Sequence, residues 1–189
     1  MFFNSAYQGD VCSHTHSFVL DNVIRRIFQN PAKIAGPYIR PGDTIIDFGC
    51  GPGYFTTAMA ERTGPDGKVW AVDLQPEMLE KVRKKCRKMG LSAIVTCHRC
   101  AQDAIDLDSG VQADFMLAYY MVHEVPDLQA FFNQACPLLK PGGRFLVVEP
   151  LFHVSRSRFK TICAAALAAG FKQLDTPKGK GGRTLLLTR

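Results

Sequence analysis

From Thr44 onward the chain alternates short runs of apolar and β-branched residues with longer stretches whose apolar positions recur at helical spacing. The short runs are Thr44–Phe48, Val69–Asp73, Ile94–His98, Ala113–Ala118, Arg144–Glu149, Phe171–Asp175 and Arg183–Thr188. Between them lie predicted helices at Tyr54–Thr63, Pro76–Met89, Asp127–Leu138 and Arg156–Ala169. Pro76 and Pro126-Asp127 read as helix starts, Gly90 and Gly170 as stops, and Pro141-Gly142-Gly143 as a turn leading into the fifth strand. Runs such as Phe145-Leu-Val-Val148 are apolar without alternation, as in strands covered on both faces. The pattern predicts an α/β fold, with a doubly wound, mostly parallel seven-stranded sheet and helices on both faces. The segment from Pro177 to Gly182 is too short for a crossover helix, so the last strand is expected to pair antiparallel.

Upstream, Phe18, Val19, Val23, Ile24, Ile27 and Phe28 recur at helical spacing, and Asn30-Pro31 opens a second short helix towards Tyr38. With 189 residues, 47% of them hydrophobic, the chain has the material for one core, and no linker or repeat divides it. It is read as a single domain, 1–189, with a helical addition over 1–38 and a binding core over 39–189. The longest unbroken apolar run, Phe115 to Val122, is far short of the roughly 18 residues a membrane span needs. No secretory leader is readable and the seven cysteines form no staple pattern, so a cytoplasmic protein with reduced thiols is expected. The net charge of +6 is concentrated in Lys81–Lys88 and in Lys178, Lys180, Arg183 and Arg189. The first group falls inside a predicted helix and reads as a solvated face rather than a nucleic-acid site.

Chemistry concentrates after the first strand, in Asp47-Phe-Gly-Cys-Gly-Pro-Gly53. Glycines here let the backbone turn sharply and approach a ligand closely. The dinucleotide fingerprint G-x-G-x-x-G needs a third glycine where this chain has Tyr54. Asp47 at the loop mouth would repel a pyrophosphate and suits a ligand with an ammonium group. Asp73 ends the second strand 20 residues after Gly53, the position from which a carboxylate accepts both hydroxyls of a ribose.

These residues resemble the class I, Rossmann-like S-adenosylmethionine-dependent methyltransferases of the small-acceptor type. The glycine loop is similar to their first motif, Val72-Asp-Leu-Gln-Pro-Glu-Met78 to their second-strand motif, and Leu139-Lys-Pro-Gly-Gly-Arg-Phe145 to the turn before their fifth strand. The resemblance runs from about Lys33 to the C-terminus. It implies S-adenosylmethionine as cofactor, S-adenosylhomocysteine as product and a small-molecule methyl acceptor. It further implies that Gly49, Cys50, Gly51 and Gly53 pack against the methionine and ribose parts, that Asp47 faces the amino group and that Asp73 holds the ribose. Leu74 would lie on the adenine, with Asp103 and Ala104 beside it, and Ala118 and Tyr119 would offer backbone groups to the methionine end. After the fourth strand, Tyr120 and His123 are the candidate catalytic residues, His123 because its ordinary pKa lies near neutrality. The segment 1–38 would close over the acceptor.

Other readings keep the fold: an RNA or protein methyltransferase docking through its basic face, or a non-catalytic module that only binds S-adenosylmethionine. Cys97-His-Arg-Cys100 has metal or dithiol spacing, but no second such pair completes a zinc site, and no metal is assigned. Arsenite-type acceptors would call on several exposed thiols, Cys12 among them.

Overall fold

A computed structural model describes residues 29–174 and 181–189. The expected helix over Phe18–Phe28 lies outside these residues. Asn30 caps the first described helix, α1 (Pro31–Ile34), its side chain accepting from the Lys33 N–H at 3.3 Å. Gly36-Pro37 ends α1 quickly and a single 3-10 turn, Gly36–Tyr38, leads towards the sheet.

The seven strands are β1 (Thr44–Phe48), β2 (Lys68–Asp73), β3 (Val95–Arg99), β4 (Ala113–Tyr119), β5 (Leu139–Glu149), β6 (Lys172–Gln173) and β7 (Arg183–Thr188), in the order β3-β2-β1-β4-β5-β7-β6. Pairs from β3 to β5 are parallel, and β7 pairs antiparallel with both β5 and β6. Helices α2 (Tyr54–Thr63), α3 (Pro76–Met89), α4 (Leu128–Ala135) and α5 (Arg156–Ala168) supply the layers. Successive strand residues point to opposite faces. Ile45, Phe115, Leu117 and Leu146 therefore join a core with Phe55, Met59, Leu79 and Val82. Ile46, Met116, Phe145 and Val147 join the other, with Phe132, Ile162 and Phe171. Each fully buried Phe, Leu or Ile contributes about 1.5–3 kcal/mol, which sets strand register firmly. Among the described residues no helix is long and apolar enough to cross a membrane.

Local signals explain most boundaries. Gly90 ends α3 in the left-handed region, its N–H returning to the Arg87 and Cys86 carbonyls. Asp127 and Ser155 cap α4 and α5 by accepting from Ala130 and Arg158 N–H groups. Several other bounds shift by one or two residues, the sixth strand shrinking to Lys172–Gln173, and three corrections have a local cause. The helix expected to reach Leu138 stops at Ala135, and Pro137 forces a 3-10 turn over Cys136–Leu138. The third strand begins at Val95 rather than Ile94, whose N–H closes a turn onto the Leu91 carbonyl. The Pro141–Gly143 turn does not precede β5 but interrupts it: Ala113 pairs with Leu139 and Phe115 with Arg144, so residues 140–143 loop out opposite Asp114 alone. Lys140 Nζ holds that loop by donating to the Asp114 carboxylate at 2.8 Å.

At the other end of β5, Gly182 lies against the chain so closely that an added Cβ would sit 2.2 Å from the Glu149 carbonyl oxygen. Gly182→Ala is expected to cost about 1–3 kcal/mol through forced backbone displacement, lowering Tm by roughly 3–10 °C in a thermal melt. A melt unchanged within error would show that the start of β7 yields without cost.

Candidate cofactor and acceptor cleft

The parallel strands deliver their carboxyl ends to one edge of the sheet, and the strand order reverses between β1 and β4, where a crevice forms. The crevice has a volume of about 260 Å³ and runs from Asp73 and Leu74 at one end to Tyr120 and Val125 at the other. Its floor is the glycine loop. Gly49 and Gly51 have φ of +62° and +52°, a region L side chains rarely adopt. A Cβ on Gly49 would meet Met121 Cβ at 2.7 Å, whereas the Cβ position of Gly51 opens onto empty space. Gly51 therefore leaves a cradle that a ligand can occupy. Gly53 caps α2 and is not among the residues that line the cleft.

Two buried carboxylates flank this loop. Asp47 is turned towards α2 and accepts from the Thr56 hydroxyl at 2.6 Å, while still lining the cleft. Asp73 accepts from Gly51 N–H at 2.8 Å through Oδ2 and from Gln75 N–H at 2.9 Å through Oδ1. Burial raises the Asp73 pKa above its ordinary value, and the Gln75, Gly51 and Leu74 amides pull against that shift. Cys50 lies 4.0 Å from Asp73 Oδ2, and burial followed by the charges of Asp47 and Asp73 pushes its thiol well up. Cys100, which also lines the cleft, is raised to about 11, mainly by burial. Both thiols thus stay protonated near neutral pH and adjoin the Asp73 end.

Beyond β3, the segment Ala101–Ile105 forms one wall and includes Asp103 and Ala104. Asp103 is exposed, and its backbone carbonyl, not its carboxylate, is the group seen in a hydrogen bond. The holder is Gln134 on α4, which donates to the Asp103 carbonyl and accepts from the Ile105 N–H, each at 2.9 Å. His98 Nε2 meets the Ile105 carbonyl at 2.8 Å. Gln134 escaped the sequence reading because a lone glutamine on a helix carries no spacing signal.

At the opposite end, Tyr54, Phe55, Tyr119 and Tyr120 form a continuous aromatic wall, with Tyr119 4.4 Å from Phe55 and 4.3 Å from Tyr120 between ring centroids. Such pairs add about 0.5–1.5 kcal/mol each beyond burial. Tyr120 is held at φ +61°, its N–H donating to the Val148 carbonyl at 2.8 Å and its hydroxyl to the Gly181 carbonyl at 2.5 Å. Ala118 is fully buried between Phe48 and Val147 in the sheet and does not line the cleft. His123 sits in the 3-10 turn Val122–Glu124, one residue before the cleft-lining Glu124, and does not itself line the cleft. Its Nδ1 is hydrogen-bonded to Glu149, its Nε2 lies 3.9 Å from Glu124, and its ring meets His153 edge-on at 4.9 Å. Cys97 is separate from Cys100 in environment, its thiol directed to the Leu79 carbonyl. Among the described residues no group of three or more His, Cys, Asp or Glu side chains is arranged to hold a metal.

Comparison with known proteins agrees with this geometry. A family profile described as "Methyltransferase domain" matches residues 39–178. The chain is 32% identical over 117 residues to a demethylmenaquinone methyltransferase of Symbiobacterium thermophilum, covering 61% of this chain and 46% of that protein. It is 29% identical over 120 residues to an arsenite methyltransferase of Halobacterium salinarum, covering 64% of this chain and 30% of that one. The chain thus spans about half or less of the length of these curated relatives. A crystal structure of a SAM-dependent methyltransferase from Aquifex aeolicus superposes with a TM-score of 0.81 at 20% identity, covering 94% of this chain and 97% of that one. With the profile spanning most of the chain and the seven-stranded sheet carrying the same topology, the chain belongs to the methyltransferase-domain family and has the class I fold.

Proposed function

We propose that this chain binds S-adenosylmethionine in the cleft and transfers its methyl group to a small, largely apolar organic acceptor. The observation that carries the reading is Asp73: a buried carboxylate, aimed by the Gly51 and Gln75 amides, at the end of the crevice opposite the aromatic wall. When bound, the cofactor supplies a methyl group on a cationic sulfur, whose carbon–sulfur bond breaks with its electron pair left on sulfur as the acceptor's lone pair forms the new bond. The protein's task is to hold three atoms in line. Asp73 would accept the ribose hydroxyls and Asp47 the amino group, with Leu74, Asp103 and Ala104 for the adenine and Tyr119 and Tyr120 for the methyl-bearing end.

The nature of the acceptor follows from what lines the far end. Tyr120, Met121 and Val125 present a ring and aliphatic groups there. Cys50 and Cys100 are instead packed near Asp73, Cys100 by its N–H bond to the Asp73 carbonyl. An organic acceptor, as the name of the demethylmenaquinone relative describes, fits this distribution better than the arsenite of the other. A nucleic acid fits less well: exposed Lys84, Arg87 and Lys88 lie on α3, which packs against β2 and β3, away from the aromatic end. For an acceptor that must lose a proton, Glu124 is the cleft-lining carboxylate beside His123, and the proton passes through it to Nε2 of His123.

Calorimetry with S-adenosylhomocysteine tests the cofactor reading. Asp73→Ala removes two hydrogen bonds to a charged acceptor, each worth about 1.5–3 kcal/mol, so affinity is expected to fall at least tenfold, with NAD giving no heat. Unchanged affinity in a folded variant removes Asp73 from the site. The pH dependence has a definite sign. Ribose hydroxyls need the ionised carboxylate and the pKa of Asp73 is raised, so affinity declines on acidification from a pH above the ordinary value of 3.8. In Asp73→Asn that dependence disappears.

Turnover is tested with a panel of quinols, phenols, amines and thiols, scored by mass spectrometry. On an acceptor that must be deprotonated, His123→Ala is expected to slow transfer by about 10²- to 10⁴-fold without changing S-adenosylhomocysteine affinity. Full activity of that variant on such an acceptor removes His123 from the proton's route.

A further inference from the structure

One buried ionisable group behind the cleft lining has no part in the proposed function. Glu149, the last residue of β5, is fully buried, and it is a carboxylate in the middle of an apolar sheet end. A buried carboxylate persists only where hydrogen bonds replace its water. Here both partners come from one three-residue turn: Oε1 accepts from the Val122 N–H at 2.9 Å, and Oε2 is bonded to His123 Nδ1. The preceding residue of β5 completes the grip, its carbonyl accepting from the Tyr120 N–H. The end of β5 therefore holds Tyr120, Val122 and His123 at successive points of the segment that carries the acceptor wall.

We infer that Glu149 is a positioning residue that fixes the tautomer of His123, holding the proton on Nδ1 and leaving the Nε2 lone pair directed to the Glu124 side of the cleft. An ionised carboxylate can only accept, so a ring nitrogen bonded to it must carry the hydrogen. The neutral imidazole then has its free lone pair on Nε2, the nitrogen 3.9 Å from Glu124. Glu149 is the group that ties the proton to Nδ1. Other charged or titratable groups facing the ring are Glu124, on the same turn, and His153, after β5. Neither touches Nδ1 in place of Glu149. The inference rests on the proposed proton role of His123 only for its effect on turnover; the control of the tautomer stands on the geometry alone.

Glu149→Gln separates the two ideas. The amide retains an oxygen for the Val122 N–H but turns an N–H donor towards Nδ1, so the neutral ring is expected to switch to the Nε2–H form. The readout is a long-range proton–nitrogen correlation spectrum of the protein labelled with ¹⁵N-histidine and saturated with S-adenosylhomocysteine. The His123 signals are assigned by their loss in His123→Asn. The expected result is Nδ1–H in the unaltered protein, Nε2–H in Glu149→Gln, and S-adenosylhomocysteine affinity equal within about twofold. An Nε2–H ring in the unaltered protein, or an unchanged tautomer in a folded Glu149→Gln, overturns the inference. Should Glu149→Gln fail to fold, the spectrum of the unaltered protein still decides. On an acceptor that must be deprotonated, kcat is expected to fall about 10²-fold or more with KM for S-adenosylmethionine unchanged, and the double variant Glu149→Gln, His123→Ala should cost no more than His123→Ala alone. An inverted tautomer with undiminished kcat supports Glu149's hold on the ring while overturning the proton role of His123.

Discussion

Parallel pairing of β1 with β2 on one side and β4 on the other is the constraint from which the site follows. It brings Phe48, Asp73 and Tyr119 to the same edge of the sheet and leaves each strand's connection to depart from there. Helix layers cover both faces, so the edge is the place where backbone and side-chain polar groups meet solvent or ligand without breaking a core. The glycine loop crosses that edge at the reversal of strand order. Its positive-φ residues keep side-chain bulk out of the space between Asp47 and Asp73. Met121, arriving from β4, fills the room that a Cβ on Gly49 would need. Loop and acceptor wall are thus packed against each other, and a change in either is felt by both.

Position along the edge divides the labour. Near β2 and β3 the Asp73 carboxylate and two protonated thiols stand among Leu74, Met78 and Ile105. Around the end of β4 the lining is Tyr119, Tyr120, Met121 and Val125 beside the Glu124 and Asp127 carboxylates, with other polar groups tied down: the Tyr120 hydroxyl on Gly181, the His123 ring on Glu149. On the proposed function, the sugar and base of the cofactor occupy the first region, and the second takes the apolar body of the acceptor, with Glu124 at its margin.

The fold was legible in the sequence to the extent that its signals are local. The limits of β1, α2, α3 and β7 follow from apolar period and from Pro and Gly punctuation, each readable within a few residues. Pro141–Gly143 was misplaced for the opposite reason. A turn signal reports a bend in the chain, but whether the strand resumes on both sides of the bend depends on β4, some 25 residues earlier. The glycine loop, Asp47 and Asp73 were readable because loop-and-strand motifs keep fixed spacing. Gln134 and Glu149 were not: each acts on a segment more than 25 residues away in the chain, and neither residue type distinguishes itself from its surface counterparts until burial is known.

Asp73 and Glu149 show how the same functional group acquires different work from the same sheet edge. A carboxylate offers roughly four lone-pair directions. Asp73 spends its protein bonds on backbone amides that point it along the cleft floor, and it keeps a face open to the crevice, so it retains acceptor capacity for a ligand. Glu149 has no exposed surface and does not line the cleft; one oxygen holds the turn's backbone and the other the histidine ring. Nothing from outside can reach it, so its influence on chemistry must pass through the groups it holds. With two strands between them, one carboxylate stays open to the crevice and the other is closed off, and on the proposed reading the first binds and the second orients because of which oxygens the fold has already used.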